Sequence, residues 1–243
     1  MQEQVELYSE EENHEEETFL QGVKDCVPTL LGYWSIGFAA GVLGVTSGLS
    51  AIEIVLMSAL VYAGSAQFIM TGMIAAHGSF GAITLTIFFI NLRHLLLSAA
   101  LSPFFRHLTP LKNTLIGALV TDETFGVAIS ENAKKKKISE KWMHGLNLTA
   151  YLNWIIANLC GAFLGQWITQ PEKFGLDFAL PAMFIGLLVL QMVSRANIKT
   201  DIFVACWAVV LVVFLTMQLS GNAGVILATV IASTFGMVVE KWK

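Results

Sequence analysis

The apolar stretch FGAITLTIFFINLRHLLLSAAL, residues 80–101, carries a guanidinium and an imidazole near its centre, in the NLRH motif at 91–94. About 20 apolar residues suffice to cross a bilayer, so this stretch is long enough for one membrane-spanning helix. An arginine at the centre of such a helix costs about 2.5–3.5 kcal/mol on insertion scales and normally faces protein or a wet cavity. The position of Arg93 in the middle of a span therefore indicates a transport protein. The alternative is an arginine that reaches the headgroups from a helix end.

The composition of the whole chain agrees with a membrane protein. Of its 243 residues, 55% are hydrophobic and 13% charged, and the mean hydropathy is +0.67, which is more apolar surface than one soluble core could bury. The predicted fold class is all-α, a polytopic transmembrane helical bundle. Seven apolar segments occur, at 29–50, 54–76, 80–101, 146–168, 179–194, 202–219 and 222–239.

The number of spans depends on one further segment, 111–130. The TDET motif at 121–124 interrupts it, so it is either an eighth span that lines a cavity, or a re-entrant or interfacial piece. Basic loops around Lys134 to Lys141, at Arg195 and Lys199, and at the C-terminus are predicted to be cytoplasmic. Arg106 and Lys112 favour seven spans, because with eight they would lie outside the cell.

The first 25 residues differ from the rest of the chain. They hold nine of the 18 acidic groups and a single lysine, and the Glu-rich run at 10–17 has almost nothing apolar to bury. Residues 1–25 are therefore predicted to be an acidic, disordered tail, followed by a single transmembrane transporter domain at 26–243. The tail lacks the basic start and apolar core of a secretory signal.

Motifs for other classes of protein are absent from the sequence. The three cysteines are isolated, and neither G-x-x-x-x-G-K-[ST] nor H-E-x-x-H occurs. The sequence thus predicts no enzyme activity, no cofactor, no metal site and no nucleic-acid partner.

Small residues at helical spacing define two helix faces, one formed by Gly37, Gly41, Gly44 and Gly48, and the other by Ala157, Gly161 and Gly165. Close helix packing is the favoured interpretation of both faces. A loop and a long apolar helix follow each of them, so a second hypothesis is an internal repeat with an offset of about 120 residues, with the substrate at the interface of the two halves.

Three polar motifs inside apolar segments supply the candidate substrate-binding or coupling residues, which are Gly64, Ser65, Gln67, Asn91, Arg93, His94, Asp122 and Glu123. The YAGSAQF motif at 62–68 predicts a helix break whose free backbone groups bind a polar ligand. The alternative is a packed crossing in which Gln67 is hydrogen-bonded to a neighbouring helix.

The charged candidates suit an amino-acid carboxylate and a proton. Arg93 can bind a carboxylate in a bidentate geometry, and His94 can change its charge near physiological pH. Asp122 and Glu123 have several possible roles: they neutralise Arg93, bind a substrate ammonium or relay protons, or they belong to a helix start outside the membrane.

Four motifs carry a resemblance to a known family: GSAQF at 64–68, NLRH at 91–94, TDE at 121–123 and LDFALPA at 176–182. In this order and spacing they resemble the AzlC/BrnF family, and the similarity runs from about Val27 onward. The resemblance implies the large subunit of a branched-chain amino acid exporter (LIV-E type) in a prokaryotic plasma membrane. It also implies the substrates leucine, isoleucine and valine, and a small hydrophobic AzlD/BrnE-type membrane subunit as partner.

A channel or pore for a small polar solute or anion is the rival function. Arg93 and the small-residue faces could line such a pore instead of an alternating-access site. A membrane scaffold without turnover is a third hypothesis. Saturable, gradient-coupled flux of amino acid distinguishes the transporter from both.

Overall fold

The computed structural model describes residues 18–132, 137–168, 170–178, 198–218 and 221–241, and seven residues between 181 and 192. The Glu-rich tail through residue 17, the basic residues 134–136, Arg195 and most of the predicted segment 179–194 lie outside the described residues. The regular elements in the described ranges are helices. The chain divides into two compact units, Met1–Leu180 and Pro181–Lys243.

The described part of the first unit contains seven α-helices: α1 (Phe19–Thr46), α2 (Ala51–Leu60), α3 (Gly64–Ala75), α4 (Phe80–Leu101), α5 (Pro110–Gly117), α6 (Asp122–Glu131) and α7 (Glu140–Gly165). Short 3-10 turns occur at Ser102–Phe105, Pro171–Phe174 and Leu176–Phe178. Four of the α-helices are short and form two pairs, α2 with α3 and α5 with α6. Three non-helical residues separate α2 from α3, and four separate α5 from α6.

Within the described ranges, four helices are long and apolar enough to cross a membrane: Phe19–Thr46, Phe80–Phe105, Glu140–Gly165 and Ile198–Gln218. Helix α4 has the bounds that the sequence predicts. The predicted segments 54–76 and 111–130 are each divided into two short helices. The all-helical membrane architecture is thus confirmed, whereas the count of seven or eight spans stays a prediction.

Helix α1 begins at Phe19, inside the stretch that the sequence assigns to the acidic tail. Thr18 caps this helix, because its hydroxyl oxygen accepts a hydrogen bond from the Gln21 N–H at 3.2 Å. The Asp25 carboxylate accepts from Gln21 Nε2 at 2.8 Å and from Trp142 Nε1 at 2.8 Å. These polar contacts carry the helix beyond the apolar run, so α1 begins ten residues before the apolar segment predicted at 29–50.

Helices α1 and α7 form the centre of the first unit, with their backbones in direct contact. A Cβ added to Gly22 would overlap the carbonyl oxygen of Trp142, and one added to Gly41 would overlap that of Asn158. The early part of α1 therefore meets the early part of α7, and the late part meets the late part. The two helices run parallel, and the glycine faces serve close packing, as the sequence predicts.

The contact between α1 and α7 is reciprocal. A Cβ on Gly145 would overlap the carbonyl oxygen of Phe19, and one on Gly161 would overlap that of Phe38. Near both of its ends, each helix thus has a glycine in contact with a carbonyl group of the other helix. The internal repeat of about 120 residues stays a prediction, although this local two-fold relation is what a parallel repeat would produce.

Helix α4 runs opposite to α1 and α7. Leu101 and Phe105 at its C-terminal end share a buried cluster with Ile138 and Trp142, next to the start of α7. The Ile138 N–H also donates to the Phe104 carbonyl at 3.4 Å. We call the side of the unit where α1 and α7 begin the entry side, and the side where they end the far side. Helix α4 therefore ends at the entry side.

The second unit contains α8 (Ile198–Gln218) and α9 (Gly221–Lys241). Phe235 in α9 packs against Phe203 and Trp207 in α8, with ring centroids 6.1 and 5.9 Å apart. A Cβ on Gly224 would meet the backbone of Thr216 at 2.8 Å. The start of α9 therefore lies beside the end of α8, and the two helices form an antiparallel hairpin.

Candidate functional site

The break between α5 and α6 lies at residues 118–121, and a capping box ends it. The Thr121 N–H donates to Thr124 Oγ1 at 2.9 Å, and the Thr124 N–H donates to Thr121 Oγ1 at 3.3 Å. Both threonines are buried, at 6% and 1% exposure. Asp122 and Glu123 occupy the first turn of α6, where the helix dipole favours negative charge. The TDET motif is thus a helix start in the interior of the unit.

Arg93 neutralises one of these carboxylates. Its Nη1 lies 2.7 Å from Asp122 Oδ2, and the two side chains are 24% and 17% exposed. The Arg93 Nε is buried without a hydrogen-bond partner among the described residues, and so is the neighbouring Asn91 Oδ1. The ion pair joins the middle of α4 to the first turn of α6, which is one of the roles that the sequence analysis considers for Asp122.

Glu123 is held by a tyrosine from α1. The Tyr33 hydroxyl donates to Glu123 Oε2 at 3.0 Å and is also hydrogen-bonded to Thr121 Oγ1. Tyr33 is only 4% exposed. The two adjacent carboxylates therefore have separate partners, an arginine from α4 for Asp122 and a phenol from α1 for Glu123.

The break between α2 and α3 lies at residues 61–63, immediately before the GSAQF motif. Tyr62 has a φ of +43°, in the left-handed region, and its ring packs edge to face on Tyr151 with centroids 4.9 Å apart. Helix α3 begins at Gly64 with Ala63 as its N-cap, and no described side chain caps it. The backbone N–H groups of its first turn are therefore left for another acceptor.

Gln67, by contrast, is fully engaged by the protein. Its Nε2 donates to Ser58 Oγ at 2.9 Å and to Asn158 Oδ1 at 2.8 Å, and its Oε1 accepts from Trp154 Nε1 at 3.1 Å. Both interpretations of this motif thus hold in part. A helix break is present, and Gln67 makes the interhelical hydrogen bonds of the alternative.

Aromatic side chains connect the two breaks. The Tyr33 ring packs edge to face on Trp154 with centroids 6.0 Å apart, and Trp154 in turn donates to Gln67. The structure therefore brings the GSAQF and TDET motifs to one region beside α1, with Arg93 bound to its edge through Asp122.

His94 and Asn91 lie at the margin of this region. His94 is half-buried and follows Arg93 directly in α4. Within the described ranges, no three His, Cys, Asp or Glu side chains are grouped as metal ligands.

Tyr33 and Trp154 are not among the candidate residues predicted from the sequence. A signal for Tyr33 was present, because it precedes Gly37 by four residues and therefore lies on the same helix face as the glycines. Trp154 had the same kind of signal, because it precedes Ala157 by three residues and Gly161 by seven. Its role depends on the parallel contact of α1 and α7, which only the folded structure shows.

In chemical terms, this region offers hydrogen-bond donors at one break and a buried carboxylate at the other. Free N–H groups at a helix start favour an anionic group, and a carboxylate favours a cationic one. The site therefore suits a small molecule that carries both charges, close to apolar and aromatic side chains.

Comparison with known proteins places the chain in a family. The family model described as AzlC protein matches residues 28–168. The inner membrane protein YgaZ of Escherichia coli K12 is 33% identical over 177 residues, which cover 71% of this chain and 72% of that protein. The branched-chain amino acid transport protein AzlC of Bacillus subtilis 168 is 27% identical over 166 residues, or 68% of this chain and 64% of that protein.

A more extensive alignment comes from an uncharacterized membrane protein of Helicobacter pylori 26695, which is 26% identical over 209 residues, or 84% of this chain and 88% of that protein. No solved structure gives a significant match. The apolar helices and the membrane relatives define a multi-pass plasma-membrane transport protein rather than an enzyme. The chain belongs to the AzlC family, as the sequence resemblance predicts.

Proposed function

We propose that this protein exports branched-chain amino acids, namely leucine, isoleucine and valine, together with a small AzlD/BrnE-type membrane subunit. The name of the Bacillus subtilis relative, a branched-chain amino acid transport protein, supports the substrate class. The direction of transport and the partner rest on the family resemblance. The observation that carries the proposal is the meeting of two helix breaks beside Tyr33, with free donors at one break and Glu123 at the other.

We further propose that the pair α5–α6 is a re-entrant hairpin. Lys112 near the start of α5 forms an ion pair with Glu140 at the start of α7, at 2.7 Å. Phe104, before α5, accepts a backbone hydrogen bond from Ile138, after α6. The chain therefore leaves the entry side and returns to it between these contacts, which supports an excursion into the membrane rather than a crossing.

The same argument supports a second re-entrant hairpin, α2–α3, that enters from the far side. Ile54 in α2 lies against Gly44 near the end of α1. Gln67 in α3 bonds back to Ser58 in α2, nine residues earlier, whereas in a straight helix these residues would be about 13 Å apart along the axis. Helix α4 then runs from the far side to the entry side.

This topology has three full crossings in the first unit, α1, α4 and α7, and two hairpins whose tips meet between them. It accounts for the distribution of basic residues. Arg106, Lys112 and Lys141 all lie at the entry side, whereas the far-side loops at 47–50 and 76–79 contain no lysine or arginine. The positive-inside rule then makes the entry side cytoplasmic.

Cysteine labelling in a cysteine-free background tests this arrangement. With re-entrant hairpins, cysteines at Ser50 and Ala76 both react with a membrane-impermeant reagent on intact cells, and cysteines at Arg106 and Lys137 do not. A topology of seven spans exposes only residue 76 of the first two, and one of eight spans exposes only residue 50. Either of these patterns would refute the proposed hairpins.

Within this arrangement we propose roles for the candidate residues. The substrate lies between the two tips, where Glu123 receives its ammonium group and the break before Gly64 receives its carboxylate. Arg93 and Asp122 form an ion pair that anchors α6 to α4, and half-buried His94 beside this pair is the candidate coupling group for protons. Discontinuous helices that meet near the middle of the membrane are a common substrate site in secondary transporters.

Export of labelled leucine tests the function itself. We expect cells that produce this chain and the small subunit to show saturable efflux, driven by an ion gradient. The chain alone is expected to reach the membrane yet export little, because a partner that binds the competent state shifts the equilibrium toward it. Transport by the purified chain alone at the rate of the complex would contradict the partner.

A channel is the second candidate, and one observation favours it. Half-helices that enter from opposite sides and present their N-termini to the same region also occur in selective pores. Flux that rises linearly with leucine concentration, without saturation or gradient coupling, would support the channel over the exporter.

A further inference from the structure

We propose that the first turn of α3, with the hydroxyls of Tyr62 and Ser65, forms a cradle for the carboxylate of an α-amino acid. This inference rests on the proposed function, because it specifies which groups bind which end of the substrate. It differs from the expectation that Arg93 binds the carboxylate, since Arg93 is already paired with Asp122 at 2.7 Å.

Two buried hydroxyls without partners mark the cradle. Ser65 is 0% exposed and Tyr62 is 7% exposed. The oxygen atoms of both side chains are buried with no hydrogen-bond partner among the described residues. The Tyr33 hydroxyl, which is bonded to Thr121 and Glu123, is close enough to interact with that of Tyr62, whereas no described group is hydrogen-bonded to the Ser65 hydroxyl. Native proteins leave few buried polar groups unpaired, and two of them within four residues indicate a missing partner.

The same place has unpaired backbone donors. Helix α3 has 12 residues, no described side chain caps it, and the N–H groups of residues 64–66 have no hydrogen bond to a described residue. Side chains in a helix lean toward its N-terminus, so the hydroxyl of Ser65, the second residue, lies over this turn. The three N–H groups and the Ser65 hydroxyl can thus share one acceptor, which a carboxylate with two oxygens suits. Tyr62 lies two residues before this turn.

The charges around the cradle determine whether a simple anion or an amino acid is the better ligand. The positive end of the α3 dipole favours an anionic group. Glu123 at the other break, however, bonds to the Tyr33 hydroxyl, and the Tyr33 ring packs on Trp154, which bonds to Gln67 in α3. A negative charge on Glu123 would therefore repel an isolated anion in the cradle. An α-amino acid has an ammonium next to its carboxylate and can satisfy both breaks at once. The ligand class is therefore a zwitterion with an apolar side chain.

Binding to the purified full chain in phosphatidylcholine nanodiscs, with and without the small subunit, tests the cradle. The probes are leucine, leucinamide, which lacks the carboxylate, and 4-methylpentanoate, which lacks the ammonium. We expect leucine to bind at least 10-fold more tightly than either analogue. Ser65→Ala and Tyr62→Phe should each weaken leucine binding by about 10-fold, because each removes a hydrogen bond to a charged group. Ser35→Ala, at an exposed position on α1, is the matched control.

Melting temperatures without ligand complete the test. Ser65→Ala and Tyr62→Phe each remove a buried hydroxyl without a hydrogen-bond partner among the described residues, so both variants should melt no lower than wild type. A drop of several degrees would mean that the hydroxyls serve the fold, and would overturn the cradle. If both variants bound leucine as tightly as wild type, the cradle would also be overturned. The proposal of leucine export would still stand.

The remaining outcomes separate this inference from the proposed function. If wild type ignores leucine but binds another carboxylate in a way that depends on Ser65, the cradle stands and branched-chain export fails. If wild type binds no carboxylate compound, the cradle is wrong.

Discussion

The two helix breaks of the first unit are alike in backbone and opposite in chemistry. Each separates two short helices, and each is followed by a helix start that lies inside the unit. At the break before α6, Thr121 caps the helix, Asp122 pairs with Arg93 and Glu123 bonds to Tyr33. At the break before α3, Ala63 provides no cap, and the Tyr62 hydroxyl has no partner among the described residues.

The two breaks therefore differ in whether the protein itself satisfies their polar groups. At the break before α6, side chains of the protein bond to both carboxylates. An unsatisfied break carries unfavourable buried donors until an acceptor arrives, so ligand binding can stabilise it. The residues that the sequence marks most strongly, Arg93 and Asp122, belong to the satisfied break.

Removing the positive charge at the satisfied break should have the greatest effect. We expect Arg93→Gln to lower the free energy of unfolding by about 2–3 kcal/mol, because it leaves Asp122 partly buried without a counter-charge. The double variant Arg93→Gln with Asp122→Asn should recover most of this loss, since no unpaired charge remains. Thermal unfolding in nanodiscs measures both, and a double variant as unstable as the single one would contradict the pairing.

Arg93→Lys tests whether the geometry of the guanidinium matters in addition to its charge. It keeps a charge near Asp122 and should insert normally. We nevertheless expect poor export, because a lysine cannot reproduce the planar geometry of the guanidinium. Near-normal leucine efflux at matched membrane abundance would show that only the charge matters.

Removing one phenolic hydroxyl from each break compares them directly. Tyr33→Phe should lower the free energy of unfolding by about 1.5–3 kcal/mol, because it removes a hydrogen bond to a carboxylate. Tyr62→Phe, the matched change at the other break, should leave the unfolding of the ligand-free protein unchanged. Equal losses in the two variants would mean that both breaks are satisfied in the same way.

Helix caps should give the smallest effects, of opposite sign at the two breaks. Thr121→Ala should destabilise the protein by about 1 kcal/mol through loss of the capping box. Ala63→Ser places a capping hydroxyl before α3 and should raise stability by about 0.5–1 kcal/mol. The new cap competes for the donors of the first turn, so leucine should bind more weakly. If Ala63→Ser stabilised the protein without weakening leucine binding, the N–H groups of the first turn of α3 would not be the groups that bind leucine.

Much of the architecture could be predicted from local sequence. Hydropathy identifies the bounds of α4 without error, and the helical spacing of Gly37 and Gly41 correctly indicates close packing. The polar interruptions at 62–68 and 121–124 do mark helix breaks. These features depend on residues close together in the chain, and spacing is enough to find them.

The rest depends on contacts between distant residues. Hydropathy treats 54–76 as one span, because an apolar hairpin and an apolar crossing have the same composition. The partners of Glu123 and Gln67 come from Tyr33, 90 residues earlier, and from Trp154, 87 residues later. The parallel course of α1 and α7 decides both pairings, and no local pattern encodes the direction in which two helices pack.

The parallel pair α1 and α7 also has a consequence for how the protein is made. Helices α2 and α3 contain 10 and 12 residues, and α5 and α6 contain 8 and 10. Such lengths reach only about half of the ~30 Å hydrocarbon core, so none of them can be inserted as an independent span. The buried polar groups of these four short helices need α7 as a packing partner. Helix α7 is synthesised after all four of them.

During translation, therefore, the ribosome finishes both hairpins before their binding partner exists. Asn147 in α7 then donates to the Ile116 carbonyl in α5, and the Tyr151 hydroxyl donates to the Ala59 carbonyl in α2. Synthesis of residues 140–165 is thus the step at which the nascent chain can close around its interior. A chain released before that step would present two unfinished hairpins to the proteases of the membrane.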